Sequence, residues 1–330
     1  MRIGITGEKG FIATNLANEI IRQGHEFVSL DDSGFAKRCM RYTGSGEVCV
    51  YSNSAEKWAS LFRVLSLNCI VHNAAVVGTD VVALNPQESI NTNILGTKII
   101  TQAANECNIL NVYTGTTVIY DTYAYQESDI DEKSRIFPRT DYAIQKYAGE
   151  MIVRNNSKNW LVMRPLFAYG GIGDMNSLIS KSLYAIANNI KNIDMFLNPV
   201  KIKDYMHVED FCYSVIQAIN SNIRNEHFNV SAQSPRSTLE IINLIEEITG
   251  SNLEGIIKWH PRTDYLGNHR LSNEKFIKHF KYSKVKFLKE GIKKSWEEIK
   301  NNLDKSYNPL KYVDEAKEKD IDLTKFFPKD

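Results

Sequence analysis

Residues 2–16, RIGITGEKGFIATNL, pass from a short apolar run through two glycines into a pattern with helical spacing. The run 2–6 has strand character, and the helical pattern extends over 10–23. Gly7, Gly10 and Ala13 fall at three-residue steps across the junction. Gly7 permits a tight turn, Gly10 lets backbone approach a diphosphate, and the small Ala13 lets the helix pack close to a sheet. Backbone N–H groups of the first helical turn, at Phe11 and Ile12, then face an anion at the favourable end of the helix dipole. A glycine triplet alone is a weak signal, but the next strand, 26–30, runs directly into Asp31 and Asp32. A carboxylate at that point accepts hydrogen bonds from an adenosine ribose and repels a 2′-phosphate. NAD is therefore expected, with NADP kept open by Lys37 and Arg38.

Further along, apolar runs at 69–72, 111–114 and 160–163 alternate with helical patterns at 86–108 and 141–155, and 49–51 is a candidate extra strand. Strands separated by helices of this length require right-handed crossovers. The expected fold is α/β, a Rossmann-like doubly wound parallel sheet with a smaller C-terminal substrate-binding lobe. Beyond about residue 166 the pattern loosens into helical stretches at 177–189, 208–221 and 238–249, joined by longer polar connections. The expected division is a cofactor domain over 1–165, with parts of 200–230 returning to it. The lobe and a C-terminal extension would occupy 166–199 and 231–330.

Composition fits that class. The chain has 330 residues, 43% hydrophobic, with 40 Lys+Arg against 39 Asp+Glu. A net charge of +1 argues against a nucleic-acid binder. No apolar run approaches the roughly 18 residues that span a bilayer; the best, 67–84, is broken by Asn68, His72, Asn73 and Asp80. Neither a membrane span nor a secretory leader is expected. Five cysteines without a CxxC pair suggest free thiols in the cytoplasm, and seven histidines without HxH or HExxH spacing suggest no metal site. From Lys275 onward, 15 lysines face 10 acidic residues, a basic bias best explained as a solvated helical face or packing extension.

A second signal is YAIQK, which puts Tyr142 and Lys146 on one helix face. An ammonium beside a phenol stabilises the phenolate, so such a tyrosine can exchange a proton with a sugar or alcohol hydroxyl. Thr116 lies just past the 111–114 strand, at the carboxyl edge where ligands of doubly wound sheets sit. Its hydroxyl would bond the oxygen being oxidised or reduced.

Together these segments resemble the extended short-chain dehydrogenase/reductases, in particular the sugar-nucleotide epimerase, dehydratase and reductase group. TGEKGFIA is similar to that family's TGxxGFIG, HNAA at 72–75 to its HxAA, and NILGT at 93–97 to N-x-x-GT. Thr116 falls at the catalytic Ser/Thr, Tyr142 and Lys146 at YxxxK, MRPLFAYG at RPxNVYG, and YMHVEDF at F-V-H-V-D-D. HFNVSAQSPRST resembles a further segment, YNxGxGxxxS, and the likeness covers residues 1 to about 300. The resemblance implies NAD exchanging a hydride with a sugar carbon, usually C4, with Tyr142 moving the hydroxyl proton. Lys146 would hold the nicotinamide ribose and Thr116 the sugar oxygen. The implied cofactor set adds Ala74, Ala75, Asn93 and Thr114 to Gly7, Gly10, Phe11, Ile12, Asp31, Asp32, Tyr142 and Lys146. The implied substrate set is Thr117, Phe167, Arg262 and Arg270, around a nucleoside-diphosphate sugar. A homodimer through a four-helix bundle of 86–108 and 141–155 is also implied.

Departures from the family pattern narrow the reaction. Where its 4,6-dehydratases read Thr-Asp-Glu, this chain reads Thr116, Thr117 and Val118, without an acid–base pair; Val118 equally disfavours the decarboxylases. Phe167 replaces the usual Asn, and Ser272 a usual Asp. His72 is expected to pack at the sheet edge and Asp210 to fix a connection between lobes. The expected activity is an NAD(H)-dependent 4-dehydrogenase or 4-keto reductase, in sugar-nucleotide and surface-glycan biosynthesis. Alternatives are a C4 epimerase and, less favoured, a non-catalytic dinucleotide-binding regulator.

Overall fold

The computed structural model describes residues 1–30, 54–171, 177–195, 197–260, 266–280 and 286–301. Five apolar runs become strands of one sheet: β1 (Arg2–Thr6), β2 (Glu26–Ser29), β3 (Cys69–His72), β4 (Leu110–Thr114) and β5 (Trp160–Pro165). A sixth, β6 (Glu226–Val230), pairs in parallel with β5. The order is β6-β5-β4-β3-β1-β2, and all pairs are parallel. This is the doubly wound parallel sheet expected. Its inner strands are nearly continuous apolar runs because helices cover both faces.

On one face lie α1 (Phe11–Arg22) and, much later in the chain, Val208–Asn220, which share a core with β1 through Ile3, Ile5, Leu16, Phe211 and Val215. On the other, α2 (Ala55–Val64) and α3 (Thr97–Glu106) bury Trp58, Phe62, Ile100 and Ala103 against Val28 and Ile70. Helix α4 (Asp141–Asn156) packs beside α3. Leu178–Ala187, Thr238–Thr249 and Leu288–Asn301 surround a separate cluster that includes Ile179, Leu183, Ile241, Ile245 and Ile292. A capping box between Ser237 and Glu240 starts Thr238–Thr249. No helix among the described residues is long and apolar enough to cross a membrane.

Three details differ from expectation. The 86–108 pattern is helical throughout but not uniform: Pro86–Ile90 runs into a π-helical segment, Asn91–Gly96, before α3. Apolar spacing does not reveal such a change of hydrogen-bond pattern, which is frequent at functional sites. The second strand stops at Ser29. The candidate strand 49–51 lies outside the described residues.

The chain leaves β1 toward β2 on one side and returns to β3 on the other. Ligands of such sheets bind at this switch point, outside the carboxyl ends of the strands. Thr6 and His72 stand opposite one another there.

Candidate active site

Gly7 occupies the switch point with φ +74°, and a Cβ on it would sit 2.8 Å from Ala74 Cα and N. No other residue fits, because both the left-handed backbone and the contact with the strand end opposite exclude a side chain. Gly10 donates its N–H to Gly7 O at 2.9 Å and begins α1 without a side-chain cap. Phe11 and Ile12 follow half-buried, and Ala13 is buried against the sheet. The first turn of α1 therefore opens beside a cradle that only glycine leaves empty.

Behind the cradle runs a hydrogen-bonded frame. Thr97 donates to Asn93 O at 2.8 Å and sits 3.0 Å from His72 Nε2, so the imidazole proton is on Nε2. His72 Nδ1 then accepts from Thr6 Oγ1 at 2.7 Å, and Thr6 accepts the Ala74 N–H at 3.3 Å. Burial, helped by the Lys146 charge, holds the His72 pKa down to about 3. His72 is thus a neutral hub on an inner strand instead of a packing residue at the sheet edge.

Asn93 also departs from expectation. Its amide donates to Val76 O at 3.0 Å and Gln145 Oε1 at 2.8 Å, and its carbonyl accepts the Val76 N–H at 2.8 Å. A buried amide needs partners, and these turn Asn93 inward, so it shapes the loop that carries Ala74 and Ala75. Asn73, by contrast, accepts from the Thr114 hydroxyl while its own Nδ2 is buried without a partner.

Thr140 caps α4, accepting the Ala143 N–H at 3.2 Å, and sets the helix so that Lys146 is buried and Tyr142 half-buried. Lys146 Nζ donates to Thr114 O at 2.8 Å and lies 4.3 Å from the Tyr113 ring centroid. Gly149 makes the approach possible, since a Cβ there would lie 2.5 Å from the Tyr113 hydroxyl. Burial pulls the Lys146 pKa down to about 7, opposed by Glu150 one turn on. Thr116, buried and extended, follows two residues after the carbonyl that Lys146 grips. Lys146 and Thr116 thus both lie at the carboxyl end of β4, with Tyr142 one turn before Lys146 on α4.

Beneath them lies an unanticipated buried ion pair. Arg164 and Glu150 are both fully buried, joined through Arg164 Nε to Glu150 Oε2 at 2.9 Å and a second contact from Nη2. Arg164 also donates to the Tyr120 hydroxyl, which donates to Asn229 Oδ1 at 2.8 Å. The network stitches α4, β5 and β6 together.

The substrate set scatters. Thr117 is fully buried and donates to Pro165 O at 3.3 Å, so its side chain belongs to the wall. Arg270 is half-exposed and paired with Asp129 at 3.1 Å, engaged by a carboxylate. Asp31, Asp32 and Arg262 lie outside the described residues. Phe167 is half-buried with φ +28°, its ring 5.7 Å from Tyr205, 6.1 Å from His269 and 5.5 Å from Lys203 Nζ. Lys203 and His269 are fully buried. His269 lies against the Thr117 backbone with neither ring nitrogen in a well-formed hydrogen bond, and burial pulls its pKa down to about 3. Sequence reasoning missed Lys203, Tyr205 and His269; a lysine inside the run that precedes MHVED was the available signal. Asp210 accepts the Lys286 N–H at 2.8 Å and ties its helix to the segment entering Leu288–Asn301.

The geometry agrees with the comparisons. Over residues 3–231 the chain matches the model of the NAD dependent epimerase/dehydratase family, and it belongs to that family. It is 26% identical to the GDP-6-deoxy-D-talose 4-dehydrogenase of Aggregatibacter actinomycetemcomitans, over 77% of this chain and 82% of that protein. It is 21% identical to a trifunctional UDP-glucose 4,6-dehydratase/UDP-4-keto-6-deoxy-D-glucose 3,5-epimerase/UDP-4-keto-L-rhamnose-reductase of Arabidopsis thaliana. That match covers 89% of this chain but only 46% of the plant protein. Among solved structures, the Thermus thermophilus UDP-glucose 4-epimerase in complex with NAD superposes with a TM-score of 0.75 at 21% identity, covering 90% and 98% of the two chains.

Proposed function

We propose that the chain is an NAD(H)-dependent 4-dehydrogenase or 4-keto reductase of a nucleoside-diphosphate sugar. The observation that carries this is Lys146 docked on Thr114 O, with Tyr142 one turn before it and Thr116 two residues beyond. Gly7, Gly10 and the uncapped first turn of α1 would hold the diphosphate of NAD, and the unpartnered Asn73 Nδ2 would face the cofactor. NAD, when bound, supplies the hydride acceptor or, reduced, the donor. In oxidation Tyr142 takes the C4 hydroxyl proton as the C4–H bond breaks, and in reduction it returns a proton to the new alkoxide. Lys146 favours the phenolate by its charge, and burial sets that charge to change near neutrality. Thr116 bonds the sugar oxygen. With Thr117 turned into the wall and Val118 apolar, these two positions supply no acid–base pair for eliminating water, which supports a reaction confined to redox at C4.

The deciding experiment is stoichiometry. Incubated with NAD and a turned-over nucleotide sugar, the protein should form one NADH per keto-sugar. Epimer without net NADH would establish the epimerase alternative instead. Ile90, Leu95 and Ile144 are exposed on the helices flanking the site, and we propose that they join two copies of the chain. In sedimentation, the wild type should run as a dimer and Ile144→Glu as a monomer; a wild-type monomer would remove the interface.

A further inference from the structure

Phe167 has its backbone in the left-handed region at φ +28°, where a bulky side chain is strained. The strain is held in place by its neighbours: the ring packs on Tyr205 at 5.7 Å and edge-on to His269 at 6.1 Å, with Lys203 Nζ 5.5 Å from its centroid. All three neighbours are buried. An Asn, usual here in the family that the sequence resembles, takes this backbone at little cost and offers an amide. The chain instead carries strain and presents an apolar ring.

The ring is well placed to touch substrate. Phe167 stands two residues past β5, beside the Pro165 carbonyl that Thr117 reaches at 3.3 Å, on the same sheet edge as Thr116. The residue is half-buried, packed against the apolar clusters around Ile179 and around Ile119, with its remaining surface open to a ligand. With C4 of a hexose held at the tyrosine, substituents beside C4 would reach toward the end of β5 and Phe167. Of these, only the exocyclic carbon becomes a methyl group on deoxygenation. A methyl on a phenyl face gains apolar burial, whereas a hydroxymethyl there gives up water without a new partner.

We propose that this site is built for a 6-deoxy sugar, the Phe167 ring receiving the C6 methyl group. The inference rests on reading the site as one for a nucleotide-activated hexose. The names of two relatives contain 6-deoxy sugars, 6-deoxy-D-talose and 4-keto-6-deoxy-D-glucose.

The test is calorimetric titration of the NAD-loaded protein with matched pairs: UDP-glucose and UDP-6-deoxyglucose, GDP-mannose and GDP-6-deoxymannose, dTDP-glucose and dTDP-6-deoxyglucose. The 6-deoxy member of at least one pair should bind about 10–100-fold more tightly. In Phe167→Asn that ratio should fall to within about threefold, while Tm stays level or rises as strain is relieved. Equal or tighter binding of every hydroxylated member, or a preference that survives in Phe167→Asn, overturns the proposal. Binding of no nucleotide sugar at all overturns the underlying reading of the site, and this inference with it.

Discussion

The two walls of the cleft are held by different forces. On the cofactor side, Thr6, His72, Thr97, Asn93 and Gln145 form a continuous chain of hydrogen bonds. On the substrate side, Phe167 is fixed by ring packing and strain, with His269 buried but poorly bonded. A hydrogen-bonded frame leaves a buried donor or acceptor exposed whenever one member changes, so it admits little variation. A packed wall can be refilled by another side chain of suitable volume. On the function proposed, the shared chemistry would sit on the rigid side and substrate choice on the other.

The sharpest way to break this contrast is at Tyr142, the proposed proton carrier. Tyr142→Phe should lower kcat by about 10²–10⁴-fold with little change in the urea midpoint, since the ring stays and the proton-carrying hydroxyl is removed. A smaller loss would shift the proton to another group. Arg164→Met, beneath both walls, should destabilise by about 3 kcal/mol in urea unfolding, because buried Glu150 loses both Arg164 contacts and keeps only Arg154 at 3.1 Å. Adding Glu150→Gln should recover part of that; no recovery would mean that packing, not charge, was lost.

Acid should loosen both walls together. Burial holds His72 and His269 down to about 3 and His207 and His227 down to about 4. All four are neutral when folded and take up protons when unfolded below about pH 6.5. The unfolded state then binds more protons, so stability falls as pH drops through that value. Asp204, raised to about 6 by burial, works the other way over about pH 4–6, where it holds a proton only when folded. Lys146, held down to about 7 by burial, adds to the four histidines and roughly offsets Asp204, leaving a net loss of about 3 kcal/mol between pH 7 and 6, measurable by urea titration at each pH. A flat profile would contradict the buried neutral histidines.

The smallest effects compare the walls directly. Thr97→Val should cost about 1–3 kcal/mol by orphaning His72 Nε2, whereas His269→Leu should stay within about 1 kcal/mol. Equal costs would collapse the distinction.

Legibility in the sequence followed the same divide. Strands β1, β3 and β4 could be read because buried parallel strands are uninterrupted apolar runs, and Tyr142 and Lys146 because one turn of helix separates them. Gly7 declared itself because no other residue tolerates its φ and its contact with Ala74. The Glu150–Arg164–Tyr120 network and the Phe167–Lys203–His269 cluster join segments far apart in the chain, and pairing at that distance leaves no local pattern. The family resemblance puts Asn93 in the cofactor set, but its side-chain amide is consumed by Val76 and Gln145, which no local pattern announces. Arg270 likewise reads as a phosphate ligand until Asp129 is seen beside it.

The proposed net oxidation at C4, with its hydride passing to NAD, can be followed by isotope. A nucleotide sugar carrying deuterium at C4, turned over with NAD and analysed by mass spectrometry, should yield one deuterated NADH for each keto-sugar formed. Deuterium retained on the sugar product, or lost to water without labelled NADH, would contradict it.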